Sequence, residues 1–496
     1  MTMTAVEPAA PPRAVPAPLR VTVERTPLPP HTPLALGTAL RRLLGEDQVF
    51  LFESLAGPDE DCRVAAVGAD ALARITVRDG NVALDGVPEL VERLSPLAAR
   101  GAGSVRALLE SLNGAFAVDT DVPPDRHAFG FLAVLGYEAA WHLEELPPLA
   151  PGHDPEITLT LFRYVVTYDL ETGEQHQLRA SAPEFGDRGL LGDDLTALVR
   201  SLPDGDEGPV PPAPRPHAVR RTVRREEFTA RVERCLEHIR AGDVYQIQIG
   251  HRIEVTTPLD PVDAYRRLRA GNPSPYMYLV PWAGRTLVGA SPELLLRIEG
   301  RTLAMRPIAG TTARSADPAE DARRVDALRA DEKERAEHIM LVDLCRNDVA
   351  RVCVPGSLAV ERMMAVEHFA HVHHLVSTVR GELAEGEDVW SALRATFPAG
   401  TMTGAPKVRA MELIQEIEDR PRGAYAGALG LIDVRGRAAT LALCIRTAVH
   451  DPATGTYALQ ASAGVVADSS AEGEWRETLI KMGAVHTALT GEELTA

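Results

Sequence analysis

Apolar residues recur at helical spacing in "REEFTARVERCLEHIRAGD" (Arg225–Asp243), and "LALGTALRRLL" (Leu34–Leu44) is a second helical stretch. Other segments read as strands: "ARITVRDGNVAL", "ITLTLFRYVVTYDLETGEQHQL", "YQIQIGHRIEV", "TLVGASPELLLRIEG", "ATLALCIRTAV" and "YALQASAGVVAD". The first contains Asp79-Gly80, a two-residue turn signal between two strands. Hairpin-like strand pairs followed by helices predict an α+β fold and not a doubly wound sheet. The Pro/Ala-rich residues 1–20 read as a disordered tail, and the Pro/Gly/acidic run around 201–221 reads as a linker. The expected organisation is therefore a tail, an N-terminal region over 21–200, the linker, and a second domain over 222–492.

Composition narrows what such a fold could do. A formal net charge of -18 disfavours nucleic acid, because phosphate binding needs a basic surface. Any anionic substrate must then meet local cations, backbone N–H groups or a metal. No apolar run is long enough for a membrane span and the N-terminus lacks a secretory signal, so the expected place is the cytoplasm. The five cysteines are odd in number and scattered, which argues against a disulfide framework or a structural zinc site. Of 52 Lys and Arg, three are lysine: Lys333, Lys407 and Lys481. So strong a bias makes them candidates for positions where an ammonium is needed and a guanidinium fork is not, with chance survival of any one the alternative.

Two Glu-x-x-Glu pairs stand out. Glu334 and Glu337 in "DEKERAEHIMLVDL", and Glu474 and Glu477 in "AEGEWRETLIKM", each project from one helix face. Such pairs most often sit on solvated faces, but an apolar stretch follows each, as on a helix packed into the body. Magnesium takes one or two carboxylates and leaves room for substrate oxygens, so two converging pairs would suit it. "FPAGTMTGAPKVRAMELIQEIE" is a Gly/Thr loop entering a helix, whose first N–H groups can receive a carboxylate. Arg446 and Arg306 fall in otherwise apolar strands and need anionic partners, supplied by the protein or by a ligand. His368, His371, His373 and His374 crowd one segment. Strand alternation sets His374 opposite His371 and His373, which argues against shared zinc ligation and for a base or a core histidine.

These segments follow one another in an order that resembles, from about 225 to 490, the chorismate-binding domain of anthranilate synthase component I and related chorismate-utilising enzymes. The motifs are "NPSPYMYLV", "GASPELLLR", "PIAGT", "DEKERAEHIMLVDLCRNDVARV", "HLVSTVRGEL", "FPAGTMTGAPKVRAME", "RPRGAYAGALG", "CIRT" and "GVVADS" with "ETLIKM". The N-terminal region matches more loosely through "VFLFESLAG" and "FGFLAVLGYEAAWHLEELP". The resemblance implies antiparallel sheets packed face to face with helices outside, and a lyase that uses chorismate and Mg2+. It implies that Glu334, Glu337, Glu474 and Glu477 surround magnesium over the ring carboxylate, which Lys481 and Gly464 also contact. Tyr425 and Arg446 correspond to residues that hold the enolpyruvyl carboxylate, with Thr401 and Gly404 in the lining loop. Glu293 corresponds to the acid at the C4 hydroxyl and His374 to the histidine that assists pyruvate loss.

Two positions discriminate among relatives by nucleophile. Isochorismate and salicylate synthases resemble one another in carrying a water-activating lysine where this chain has Gln246, and a neutral amide is a poor base. Synthases of 4-amino-4-deoxychorismate commonly carry a nucleophilic lysine where Ala309 stands, which forms no adduct. Ammonia attack at C2 remains, giving anthranilate, or 2-amino-2-deoxyisochorismate if the reaction stops before pyruvate loss. The departures "FAHVHHLVS" and "PIAGTTARS" bear on that last step. The resemblance further implies a separate glutamine amidotransferase subunit, an oligomer, and a tryptophan effector pocket that includes Ser54, Pro275, Tyr276 and Met277. A non-catalytic relative is the rival reading, opposed by the intact set of glutamates with Glu293, His374 and Arg446.

Overall fold

The computed structural model of the chain describes residues 17–101, 104–152, 154–186, 191, 195–202 and 208–495. Residues 1–16 of the expected tail and 203–207 of the expected linker lie outside that set. Within the remainder, Leu19–Pro27 is a strand and Ala218–Arg221 pairs with Gln246–Thr256. The two helices appear as Pro33–Leu44, with the Thr32 hydroxyl accepting from the Ala35 amide, and Arg225–Ala241, closed by Gly242 at φ +83°. The Asp-Gly hairpin also forms: Asp79 (φ +48°) and Gly80 (φ +71°) are the left-handed pair that a two-residue turn requires, and Arg78 faces Asn81 across it.

The α+β expectation is borne out, and the sheet has a definite plan. Strands Val64–Arg78 and Ile157–Asp169 pair over nearly their whole length, and two wings spread from them. On one side the order runs through Val49–Glu53, Tyr276–Trp282, Arg285–Ser291, Thr447–Asp451 and Thr456–Val465 to Gln246–Thr256. On the other it runs through Gly130–Leu135, Ala428–Asp433, Ala438–Leu443, Leu294–Glu299 and Thr302–Met305 to Val372–Glu382. Among the described residues the one parallel pairing joins Leu19–Thr22 to Phe116–Asp119. Each wing therefore mixes strands from both halves of the chain.

Ile157–Asp169 makes the split possible by changing partner midway. Its first half bonds to Gly130–Leu135 and its second to Gln175–Ser181. Arg163, at the changeover, reaches Asp70 at 2.7 Å and the Phe185 carbonyl at 2.7 Å. Alternation within Tyr276–Trp282 then divides the core. Met277 and Leu279 pack with the helices behind the first wing, whereas Tyr278, Val280 and Trp282 enter the cluster shared with the second. No described helix is long and apolar enough to cross a membrane.

Two rings in the strands near the join lie over glycines. Phe50 faces Gly68 and Tyr278 faces Gly289; a Cβ at Gly68 would stand 1.9 Å from the Phe50 ring, and one at Gly289 2.2 Å from that of Tyr278. Phe50 also meets Phe162 edge-on, with ring centroids 4.9 Å apart, and lies tilted against Phe52 at 5.1 Å. Gly68→Ala should therefore cost about 1–3 kcal/mol through overpacking, measured as a lower denaturant midpoint. Unchanged stability would mean that the ring has room to move.

Candidate active site

Two segments that read as continuous strands are each broken, and each break carries a site residue. "TLVGASPELLLRIEG" stops at Ser291 and restarts at Leu294, because Pro292 has no amide to give a ladder. "ATLALCIRTAV" stops at Leu443 and restarts at Thr447, with Arg446 in the left-handed region at φ +50°. Both breaks are passages between the wings. They are bonded to one another: the Leu443 amide donates to the Glu293 carbonyl at 3.0 Å and the Ala290 amide to the Arg446 carbonyl at 3.1 Å. Glu293 and Arg446 thus share one corner.

Their side chains are held very differently. Glu293 is 7% exposed, and burial pushes its carboxyl up to about 7, against the Thr401 hydroxyl, which donates to Oε1 at 2.9 Å, and the more distant Lys481 and Arg446. Arg446 is half-buried, and burial draws its guanidinium below the ordinary arginine range; Tyr425, Glu477 and Glu293 oppose this. No described carboxylate pairs with it. Arg306, its counterpart in the sequence, is paired through Nη1 with Asp61 at 2.6 Å and through Nη2 with both oxygens of Glu367 at 2.7 Å. Of the two arginines in apolar strands, one is paired within the protein and the other has no carboxylate partner among the described residues.

The glutamate pairs lie on helices Glu332–Ala350 and Ala471–Thr490, which pack on opposite wings. Burial pushes Glu337 up to about 7, with Glu334, Glu477 and Glu474 adding to the rise; burial also raises Glu334 and Glu474. The charges of the two pairs are therefore felt from one helix to the other. Lys333 approaches Glu337 at 3.8 Å and Lys481 meets Glu477 at 2.6 Å, while Glu474 Oε2 is buried without a hydrogen-bond partner. Among the described residues no three His, Cys, Asp or Glu are drawn together as a metal cluster. The donor chemistry nonetheless fits a hard divalent cation: carboxylate oxygens from two helices, one of them unpartnered, and mutual repulsion that a cation would relieve.

His374 is 8% exposed and burial lowers it to about 4, so it is neutral at pH 7. Its Nδ1 lies 2.9 Å from the Thr311 hydroxyl and 3.2 Å from the Gly310 carbonyl. A carbonyl can only accept, so Nδ1 carries the proton and Nε2 keeps its lone pair. Gly310 follows Ala309 on strand Ile308–Ala313, and a Cβ there would stand 3.2 Å from Glu334 Oε2. His373 points the other way, towards His368 at 2.7 Å and Asp321 at 2.9 Å, and His371 meets the Gly271 carbonyl.

Gln246, 4% exposed, completes the floor. A Cβ at Gly464 would meet its Nε2 at 2.7 Å and that of Gln248 at 2.9 Å, and Gln246 Oε1 is buried without a partner. Gly404, at φ +142°, backs directly onto the Gln246 carbonyl, with Thr401 in the preceding helical turn Gly400–Thr403. Lys481 donates to the Ser462 carbonyl at 2.9 Å, and Tyr425 is buried beside Arg422. Lys407 is spent elsewhere, on Asp348 at 2.7 Å. Ser54, Pro275, Tyr276 and Met277 line a separate cavity of about 400 Å³. The residues missed from the sequence are Gln248, Thr311 and Arg422; polar alternation in "YQIQIG" was the available sign for the first.

The chorismate binding enzyme family profile matches residues 79–487. A 2-amino-4-deoxychorismate synthase of Streptomyces globisporus is 44% identical over 494 residues, covering 97% of this chain and 99% of that protein. Anthranilate synthase component 1 of Streptomyces coelicolor is 43% identical over 465 residues, covering 90% and 87%. The crystal structure of anthranilate synthase component I from Streptococcus pneumoniae superposes with a TM-score of 0.72 at 29% identity, over 86% of this chain and 92% of that one. The chain is a member of the chorismate binding enzyme family.

Proposed function

We propose that this protein aminates chorismate at C2 with ammonia, expels the C4 hydroxyl and eliminates pyruvate to give anthranilate. The observation that carries the reading is the corner itself: a guanidinium without an acid partner beside a carboxyl that keeps its proton near neutrality. Arg446 and Tyr425 hold the enolpyruvyl carboxylate. Lys481 and the backbone at Gly464 take the ring carboxylate. Glu293 protonates the departing C4 oxygen, its Oε1 being occupied by Thr401. Neutral Gln246 activates no water, and ammonia needs no base to attack. His374, with Nε2 free, removes the C2 hydrogen as enolpyruvate leaves.

Glu334, Glu337, Glu474 and Glu477 would hold Mg2+, which supplies electron withdrawal through the ring carboxylate when bound. The ammonia comes from a separate glutamine amidotransferase, and free ammonium serves in its absence.

A second reading is favoured by the end-to-end match to the 2-amino-4-deoxychorismate synthase. That name denotes an amino group at C2, no oxygen at C4 and an intact enolpyruvyl ether, which is the intermediate preceding pyruvate loss. The departures in "PIAGTTARS" and "FAHVHHLVS" that bear on pyruvate loss, Thr312 and His373, face one another on the strands that hold His374.

Incubation with chorismate, magnesium and an ammonium salt should yield anthranilate and pyruvate in equal amounts by mass spectrometry. The amino compound without pyruvate would establish the second reading, and unchanged chorismate would sink both. Glu334→Gln should raise the magnesium concentration for half-maximal rate about 10–100-fold, in the range seen when metal-site carboxylates are altered; a wild-type requirement would remove Glu334 as a ligand. At saturating magnesium, and with the concentration of free ammonia held constant, kcat/KM should fall as pH rises through about 7, because Glu293 then loses the proton it must donate, whereas His374, lowered to about 4, is already neutral. A flat profile from pH 6 to 8.5 would exclude Glu293 as the acid.

A further inference from the structure

The loop Arg420–Gly427 delivers Tyr425 to the site, and Arg422 within it is 2% exposed. Its guanidinium spends its donors on three separate segments. Nη1 donates to the Met402 carbonyl at 2.9 Å, next to Thr401. Nη2 donates to the Gln248 carbonyl at 2.9 Å, two residues from Gln246. Nε and Nη2 grip Glu418 at 2.9 and 2.8 Å, and Glu418 Oε1 in turn accepts the Gly250 amide at 2.9 Å. The planar group lies over the rings of Tyr137 (4.6 Å) and Tyr425 (5.9 Å).

The backbone around Arg422 is gripped as tightly from the N-terminal half of the chain. Glu138 accepts the Arg422 amide at 2.7 Å and the Gly423 amide at 3.0 Å, and the Tyr137 amide donates to the Gly423 carbonyl at 2.8 Å. Gly423 sits at φ +61°. Three hydrogen bonds thus clamp the loop whose side chain ties the substrate-lining segments together.

We propose that Arg422 is a positioning residue that fastens the Thr401 turn, the Gln246–Gln248 strand and Tyr425 into one substrate-binding surface, and that Glu138 holds Arg422 in register. Neither touches the reacting atoms. Both act on binding more than on the proton transfers, because the Glu293 backbone is set by the passage at Ser291–Leu294 and His374 by Thr311 and Gly310, so that Arg422 reaches Glu293 only through the single Thr401 hydrogen bond. The inference deepens the chorismate reading and rests on it for its kinetic consequence. A lysine at 422 keeps the charge but not the fork, so it cannot serve Met402, Gln248 and both Glu418 oxygens together.

Two measurements on the full chain test this. Hydrogen–deuterium exchange, without substrate, should rise in 246–250, 400–405 and 421–427 together in Arg422→Lys, and in 421–427 first in Glu138→Gln. Exchange confined to 418–422 in the lysine variant would overturn the inference, whatever the protein catalyses. With chorismate, ammonium and saturating magnesium, Arg422→Lys should raise KM about tenfold, the worth of one or two lost hydrogen bonds of a charged donor, with kcat much less affected. Glu138→Gln should shift KM in the same direction and carries the test alone if the lysine variant does not fold. A wild-type KM in a folded variant, or loss confined to kcat, would refute the role. Failure of the wild type to consume chorismate would instead refute the functional reading and leave the exchange result to decide the positioning.

Discussion

Two backbone hydrogen bonds, Leu443 to Glu293 and Ala290 to Arg446, tie together the places where the chain passes from one wing of the sheet to the other. An uninterrupted ladder on either side would bury both side chains within a sheet face. Each passage frees its residue from the ladder and turns it into the space between the wings. The left-handed backbone at Arg446 is part of that cost, of order 1–3 kcal/mol for a non-glycine residue, and it persists because the strands on both sides are fully paired. The wings in turn exist because Ile157–Asp169 changes partner. A single pairing decision near the middle of the fold therefore fixes where acid and guanidinium meet.

The electrostatics of the corner leave charges uncompensated within the chain. Buried arginines elsewhere are paired with carboxylates: Arg306 with Asp61 and Glu367, Arg422 with Glu418. Arg446 is not, and the facing glutamates repel one another with only lysines at their edge. A dianion with a divalent cation compensates both deficits at once, whereas either alone leaves one of them standing. This also reconciles an anionic substrate with a net charge of -18: attraction is confined to a few desolvated groups, where the effective dielectric is low, and the surface field is screened within about 10 Å.

The elements were legible where periodicity is strong. The helix at Arg225, the Asp79-Gly80 hairpin and the strand at Gln246 follow from local pattern and turn chemistry. The two breaks were not, because Pro292-Glu293 and Cys444–Arg446 are short and flanked by apolar residues that satisfy a strand template on either side. Nor was the pairing between distant halves, such as Val49–Glu53 with Tyr276–Trp282, which local patterns do not encode. Motif order named the site residues, while charge and spacing alone left the glutamate pairs indistinguishable from solvated faces. Lysine scarcity was a partial guide. Lys333 and Lys481 border the glutamates, but Lys407 ties its helix to Asp348 on the helix that carries Glu334 and Glu337.

The N-terminal region is part of the machinery in a physical sense. Its strand Gly130–Leu135 pairs with Ala428–Asp433, the strand that Tyr425's loop enters, and the turn that follows supplies Tyr137 and Glu138 to that loop. On the proposed reading Tyr425 binds a carboxylate, and a side chain with that task cannot be left on a loop free to sample other conformations, because each sampled state lowers the fraction competent to bind. Fixing that loop from both halves of the chain reduces the ordering left to be done when substrate arrives. The looser sequence match of this half is consistent with such a role. What it contributes is two backbone-directed acceptors and an aromatic face, and many sequences can present those at one sheet edge, whereas the groups that touch substrate admit few replacements.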